Sequence, residues 1–466
     1  MTLETNPRIT PPLDPDFRPI ALARRRFRGM VSDAKSSVPL VFALERDAGK
    51  VSVFRCSVLP DSHARAALNA AFAERLLKTL LWQRGGGRVL VAGPDSAVAD
   101  LPAMYAEGGA RAFDAKFFSE VYGREFSVER VASDRVPEPR ESARRLGGDF
   151  RGHRIGFDAG GSDCKVAALA EGQLVFAEEV PWLPKEHADS EYHVRIVRDC
   201  IEKARSKLPK LDAIGVSSAG IFVDNRTRVA SLFRRVPQPE FDAHIRNIYA
   251  DLGDLWGVPV EVANDGDVAA LAGALELERG ALLGLAFGTS LAAGYVDASR
   301  RVQGYLNELA FAPHDVAESA PLDSEWSGDR GTSVNYLSQD AALRLAPRAG
   351  IDLTEGTRAE QLEALQRMVS DGDPRAAAVF RSLGVYLGYA LIDYSEFYDM
   401  QDVLLLGRVT SGSGGSELVQ AARSVLALEA PELASRLGLH LPDESRRRVG
   451  QAIAAASLPV LSGDAS

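Results

Sequence analysis

The most restrictive stretch of this chain is Ile155-Gly156-Phe157-Asp158-Ala159-Gly160-Gly161-Ser162-Asp163-Cys164-Lys165. An apolar strand runs into adjacent glycines, and a second apolar strand, Val166–Leu169, leaves them. Adjacent glycines permit a turn that aims N–H groups outward, and only backbone free of side chains lets a phosphate oxygen approach closely. Asp158, at the strand end, suits a Mg²⁺ ion held partly through water. Alone, a tight hairpin with an incidental Asp explains the stretch equally well. Two further turns argue against coincidence. Phe287-Gly288-Thr289-Ser290 lies between two apolar strands and offers backbone donors and hydroxyls. Leu404-Leu405-Leu406-Gly407 leads through Arg408 into Ser411-Gly412-Ser413-Gly414-Gly415 and a helix from about Glu417, a turn suited to covering a nucleotide.

The surrounding periodicity alternates. His153–Ala168 and Gln173–Val180 read as strands, Tyr192–Lys207 as a helix, Ala213–Val223 and Val258–Ala263 as strands, and Val268–Leu277 as a helix. Ala281–Phe287 and Leu291–Val296 follow as paired strands, which together predict an α/β domain. Val262-Ala263-Asn264-Asp265-Gly266-Asp267 joins a strand to an apolar helix. Asn264 and Asp267 serve equally as caps of that helix. Asp265, at the strand terminus, is placed to take a proton from a hydroxyl attacking a γ-phosphate, a reaction that otherwise needs mainly positioning and charge neutralisation.

At 466 residues the chain predicts two or three domains. Residues 1–17, rich in proline, read as a poorly ordered lead-in, and 18–136 as an accessory α/β domain. In the latter, Pro39–Glu45 and Lys50–Leu59 flank a turn at Asp47-Ala48-Gly49, followed by a helix over Ala64–Trp82 and a strand over Arg88–Ala92. That order echoes the hairpin, helix and strand beginning at 153, which raises the alternative of a degenerate half-copy. Residues 137–152 read as a linker, 153–425 as the core with lobes of about 153–263 and 264–425, and 426–466 as a helical segment and tail. A net charge of −10 argues against a nucleic-acid surface, and Arg24-Arg25-Arg26-Phe27-Arg28 reads as a solvated face. No apolar run reaches membrane-spanning length. The three cysteines fit neither a zinc site nor a disulfide framework, so a cytoplasmic location is expected.

These motifs, in this order, resemble the ROK family (repressors, uncharacterised reading frames and sugar kinases) of the actin-like ATPase superfamily. Asp158–Ser162 is similar to its Asp-x-Gly-Gly-Thr phosphate motif, and Ser218-Ala219-Gly220-Ile221-Phe222-Val223-Asp224 to its Val-Pro-Gly-x-Val-Asp segment. Val262–Ala270 resembles Glu-Asn-Asp-Ala-Asn-x-Ala-Ala, and Leu383–Thr410 a helix–strand–turn segment ending in Leu-Gly-Gly-Gly-Val. The resemblance covers about 153–425. It implies an α/β, actin-like (ribonuclease-H-like) two-lobed core with an extra N-terminal α/β domain, and ATP and Mg²⁺ as cofactors. It implies Asp265 as catalytic base. Asp158, Gly160, Gly161, Ser162, Lys165, Gly288, Thr289, Ser290, Gly407 and Arg408 would lie around ATP. Ser218, Gly220, Asn264, Asp265, Glu308 and Phe311 would face a sugar-like acceptor, and the family suggests a homodimer.

The departures from the family pattern are specific. Its Gly-Glu-x-Gly-His segment corresponds to Asn307-Glu308-Leu309-Ala310-Phe311, so Phe311 replaces the His, and a later sugar-contacting Glu corresponds to Val334. Trp326–Ser338 holds no cysteine, so the family's zinc site is not expected. His314 reads as a lone core or surface histidine rather than a substitute. Arg408 replaces a glycine, and stacking on the base, contact with phosphate and obstruction of the pocket all stay open. A less hydroxylated, N-acylated or otherwise altered sugar or cyclitol suits Phe311 and Val334 better than glucose. The leading expectation is an ATP-dependent kinase. The alternatives are a sugar-binding sensor that does not turn over its ligand, and an ATP-hydrolysing relative without a sugar. Residues 1–150 show no helix-turn-helix pattern.

Overall fold

The computed structural model describes residues 5–141, 146–161, 163–441 and 449–461. The chain folds as two compact units. One comprises Met1–Ser142, Leu285–Ala292 and Tyr305–Leu441, and the other Ala143–Gly284, Ala293–Gly304 and Pro442–Ser466.

The first unit opens with a segment expected to be poorly ordered, and that expectation fails. Phe17 is fully buried, Leu13 N–H donates to Ser382 Oγ (3.2 Å), and Asp14 accepts from Tyr386 Oη (2.6 Å) while pairing with Arg348 (2.9 Å). The prolines restrict the unfolded segment, so ordering it costs little entropy against the burial of Phe17. The basic run is a solvated face only in part: Arg25 and Arg26 are exposed, while Arg24 and Phe27 are buried. It lies on helix Ile20–Asp33, where Phe27 stacks on Phe72 (4.1 Å) and buried Arg24 pairs with Asp393 and donates to Thr79.

Strands β1 (Val38–Glu45) and β2 (Val51–Val58) form the expected hairpin. Helix Leu68–Arg84 follows, then β3 (Arg88–Ala92) and β4 (Ser127–Arg130), giving the sheet order β2-β1-β3-β4. β3 runs antiparallel to β1. In the second unit, the strand after the corresponding helix runs parallel to the first strand of its hairpin, so the half-copy reading fails on chain direction.

That second unit carries β5 (His153–Ala159), β6 (Asp163–Ala170), β7 (Gln173–Pro181), β8 (Ala213–Ser218), the small hairpin β9 (Ile221–Val223) and β10 (Arg226–Val229), and β11 (Val260–Asn264). The main sheet has order β11-β8-β5-β6-β7, with β6 antiparallel and β5, β8 and β11 mutually parallel. Its register places Asp158 beside Ser217, and Ser218 beside Asn264, at the carboxyl ends of three parallel strands. Ligands of open α/β sheets bind at such ends.

The expected lobe boundary at 263/264 is not the observed one. Helix Asp265–Glu276 stays with this unit because it packs against β8, β11 and the C-terminal helix Gly450–Ala456. The region 426–466 is not one segment either, since that last helix covers β5, β6 and β8 while residues up to Leu441 belong to the other unit. Gly156 and Gly215 make the covering close: a Cβ on either would overlap the carbonyl oxygens of Ala452 or Ala455.

β12 (Leu282–Phe287) and β13 (Leu291–Val296) pass from the second unit into the first and back; with β14 (Asp402–Leu406) and β15 (Gly438–His440) they form a sheet of order β13-β12-β14-β15. Helix Pro374–Tyr394 packs closely on helix Gly412–Glu429 in the first unit. By length and composition it is the one described helix apolar enough to cross a membrane, and most of it is buried here.

Candidate functional site

In the second unit the Asp158 turn is held from several sides. Gly160 N–H donates to Asp163 O (3.0 Å), closing the β5–β6 turn, and Trp182 Nε1 donates to Gly160 O (2.8 Å). Ser162 lies outside the described residues. Asp158 is 5 % exposed and accepts from Ser217 Oγ (2.6 Å). Burial pushes its carboxyl up to about 6; the Ser217 hydrogen bond and the Lys165 charge oppose this, while Asp265 and Asp163 add to it. Lys165 pairs with Asp163 (2.6 Å), so its charge is already matched.

Asp265 begins helix 265–276. Asn264 caps the helix by accepting from Gly266 N–H (2.8 Å), and its Nδ2 donates to Gly220 O (2.7 Å). Asn264 thus links the Asp265 turn to the Gly220 segment, in addition to its capping role. Burial raises the Asp265 carboxyl above the ordinary range, opposed by the Gly266 N–H and the Lys185 charge. Asp267 accepts from Tyr295 N–H (3.2 Å) and serves packing. Ser218 is fully buried with its hydroxyl against Tyr249 Oη (3.0 Å), so its side chain forms part of the wall. Two carboxylates within electrostatic reach, one buried at a strand end, fit a divalent cation held through water; Asp158 would hold it. Among the described residues no group of three or more His, Cys, Asp or Glu side chains is arranged to hold a metal.

In the first unit two glycine turns converge. Gly407, at φ +100°, sits so close to Phe287 that a Cβ would overlap that residue's backbone. Gly288, Thr289 and Ser290 are exposed; Gly288 N–H donates to Ser290 O (2.9 Å), and Gly288 O accepts from Gln339 N–H (2.8 Å). Arg408 is exposed, and its carbonyl accepts from Gln366 Nε2 (3.2 Å).

The same unit holds Glu308 and Phe311. Asn307 anchors the preceding backbone: its N–H donates to Gln83 O (2.9 Å) and its side chain accepts from Tyr398 Oη (2.7 Å). Phe311 joins rings supplied by the N-terminal region, at 4.4 Å from Trp82, 6.0 Å from Phe113 and 6.4 Å from Phe117, with exposed Trp326 at 6.4 Å. Asp329 pairs with Arg75 (3.1 Å), Lys78 (3.2 Å) and Arg111 (2.9 Å), fastening the segment after Phe311 to the N-terminal helices. Val334 is half-buried. His314 is 2 % exposed among Phe17, Tyr336 and Tyr386, and burial pushes its imidazole down to about 3, so it is a core histidine.

Ser217, Lys185, Trp182 and the Asp329 ion cluster are not anticipated by any motif in the sequence. Ser217 could have been found, since parallel pairing of the two strands brings it beside Asp158; the others carry no local pattern.

The fold, a strand-order β11-β8-β5-β6-β7 sheet with strand-end carboxylates and glycine turns, is that of the actin-like ATPases. The ROK family profile matches residues 154–434, and the chain belongs to the ROK family. Among solved structures, a ROK hexokinase from Thermus thermophilus is 20 % identical with a TM-score of 0.51, covering 65 % of this chain and 97 % of its own. A ROK-family transcriptional regulator, a homologue of the E. coli MLC protein, is 18 % identical (TM-score 0.51, 65 % and 76 % covered). A sugar kinase assigned from Cytophaga hutchinsonii is 15 % identical (TM-score 0.51, 66 % and 98 %). No curated protein matches by sequence.

Proposed function

We propose that this protein is an ATP- and Mg²⁺-dependent kinase of the cytoplasm that transfers the γ-phosphate to a hydroxyl of a sugar or cyclitol bearing an apolar substituent. The observation that carries the reading is the pair Asp158 and Asp265, set at the carboxyl ends of β5 and β11 on either side of β8, with their carboxyls raised by burial. A raised carboxyl is a better proton acceptor at neutral pH, and Asp265 at the head of its helix is the base. Bound Mg²⁺ would neutralise phosphate charge on the Asp158 side. In the second unit Asn264 and Asp265 would supply polar contacts to the acceptor. In the first unit Glu308 and Phe311 hold the positions that the family pattern gives to sugar contacts, and Phe311, with Phe113, Phe117 and Trp326, makes that patch apolar in place of hydroxyl partners. Incubation with ATP–Mg²⁺ and a panel of plain, N-acylated and aryl-substituted sugars and cyclitols tests the reading through ADP release. Turnover that survives Asp265→Asn unchanged would sink the mechanism.

Two observations favour the sensor reading: Phe311 is engaged with other rings, and the family includes a solved regulator. Calorimetry separates the two, because a sensor binds a sugar with no measurable ATP affinity.

A further inference from the structure

We propose that Lys185 is the cation that holds the terminal phosphoryl group of the nucleotide between the Gly160-Gly161 turn and Asp265. The proposal rests on the kinase reading above and adds a residue that none of the motifs contains.

Three observations place it. Lys185 lies in the 3₁₀ turn Pro184–Glu186, just after buried Trp182, whose indole is bonded to Gly160 O. The lysine turn and the glycine turn are therefore tied together through one side chain. A Cβ on Gly161 would lie 3.5 Å from the Lys185 ammonium, so the bare backbone of Gly161 and the cation face the same small volume. The Lys185 charge also acts on the Asp265 carboxyl, which puts the base within its electrostatic reach.

Charge balance then selects this lysine. A nucleotide tail carries several negative charges, and the unit already places Asp158 and Asp265 around the turn. Lys165, on the strand leaving the turn, is matched by Asp163 at 2.6 Å. Lys185 has no hydrogen-bonded or ion-paired partner among the described residues, and its side chain is exposed. It is the free positive charge at the turn among the described residues. An unpaired cation preset against the transferred group stabilises charge spread over the equatorial oxygens without having to reorganise.

In the transfer, the acceptor hydroxyl gives its proton to the Asp265 carboxylate and its oxygen bonds to the γ-phosphorus. The bond from that phosphorus to the bridging oxygen breaks, and ADP leaves with the electron pair. Lys185 keeps its protons throughout and contacts only the moving phosphoryl oxygens.

The test is calorimetric titration of ATP and of ADP, each with Mg²⁺, into the wild type, Lys185→Met and Lys185→Arg, with thermal melts to verify folding. A charge-assisted contact to the γ-phosphate predicts that Lys185→Met weakens ATP by roughly tenfold or more while ADP changes little. Lys185→Arg keeps the ATP preference but lowers kcat, since a planar fork does not reproduce a point charge. Wild-type ATP binding that Lys185→Met leaves intact, or an equal loss for ATP and ADP, overturns the role of Lys185 and leaves the kinase reading standing. A wild type that binds neither nucleotide overturns both.

Discussion

Ser217 Oγ donates a 2.6 Å hydrogen bond to Asp158 Oδ1 across two parallel strands. It is the nearest stabilising partner of a carboxylate that is otherwise desolvated, and it is insufficient, for the Asp158 carboxyl stays raised to about 6 from 3.8.

A raised carboxyl pKa means that the folded chain binds that proton more tightly than the unfolded one. The resulting stability is complete below about pH 3.8 and is lost as pH rises through about 6. At neutral pH the ionised side chain costs on the order of 3 kcal/mol. Asp158→Asn, which can still accept from Ser217, is expected to stabilise the ligand-free protein by up to that amount at pH 7.5 and to change little at pH 4. Urea titrations at the two pH values check it, and the same variant should lose Mg²⁺-dependent turnover.

Asp265→Asn keeps the shape of the helix start and removes the carboxylate proposed as the base. The expected result is a fall in kcat of about 10²–10⁴ with ATP affinity retained, read by ADP release alongside calorimetry.

Phe311→His restores the residue type of the family pattern but places an imidazole among Trp82, Phe113, Phe117 and Trp326. An imidazole set among those rings loses water without a matching hydrogen-bond partner. The expected outcome is a stability loss of about 1–3 kcal/mol in denaturant, without gain of activity on glucose.

His314 has the opposite pH sign to Asp158. Its folded pKa is depressed from 6.5 to about 3, so its contribution is present above 6.5 and is lost as pH falls toward 3. At pH 5 the loss is about 2 kcal/mol. His314→Leu is expected to flatten the stability profile between pH 6.5 and 5, measured by urea titration across that range.

The parts of the molecule written in contiguous residues were legible in the sequence. The turn at Asp158–Lys165, the cap at Asn264 with Asp265 behind it, and the hairpin at 38–58 are each specified by neighbours in the chain, and all three form as expected. What escaped depends on partners hundreds of residues away. Nothing near Arg24 announces Asp393, and nothing near Asp329 announces Lys78, so the basic run read as a surface and the lead-in as loose. Lys185 escaped for a different reason: its place is set by Trp182 and the turn geometry, and a Pro-Lys pair after a strand is common in any loop. The failed half-copy shows the same limit, because element order is written locally while the direction of strand pairing is not.

The helix Gly450–Ala456 lies across the strands that carry the Asp158 turn and Ser217. During synthesis these strands leave the ribosome long before that helix does. Until it arrives, helix Asp265–Glu276 covers β8 and β11 but the strands at Gly156 and β6 lack the cover this last helix provides. The nascent chain thus holds the Asp158 and Asp265 motifs before the helix that backs their strands has been made. A ribosome stalled before residue 450 would display a chain whose signature is complete and whose second unit is unfinished.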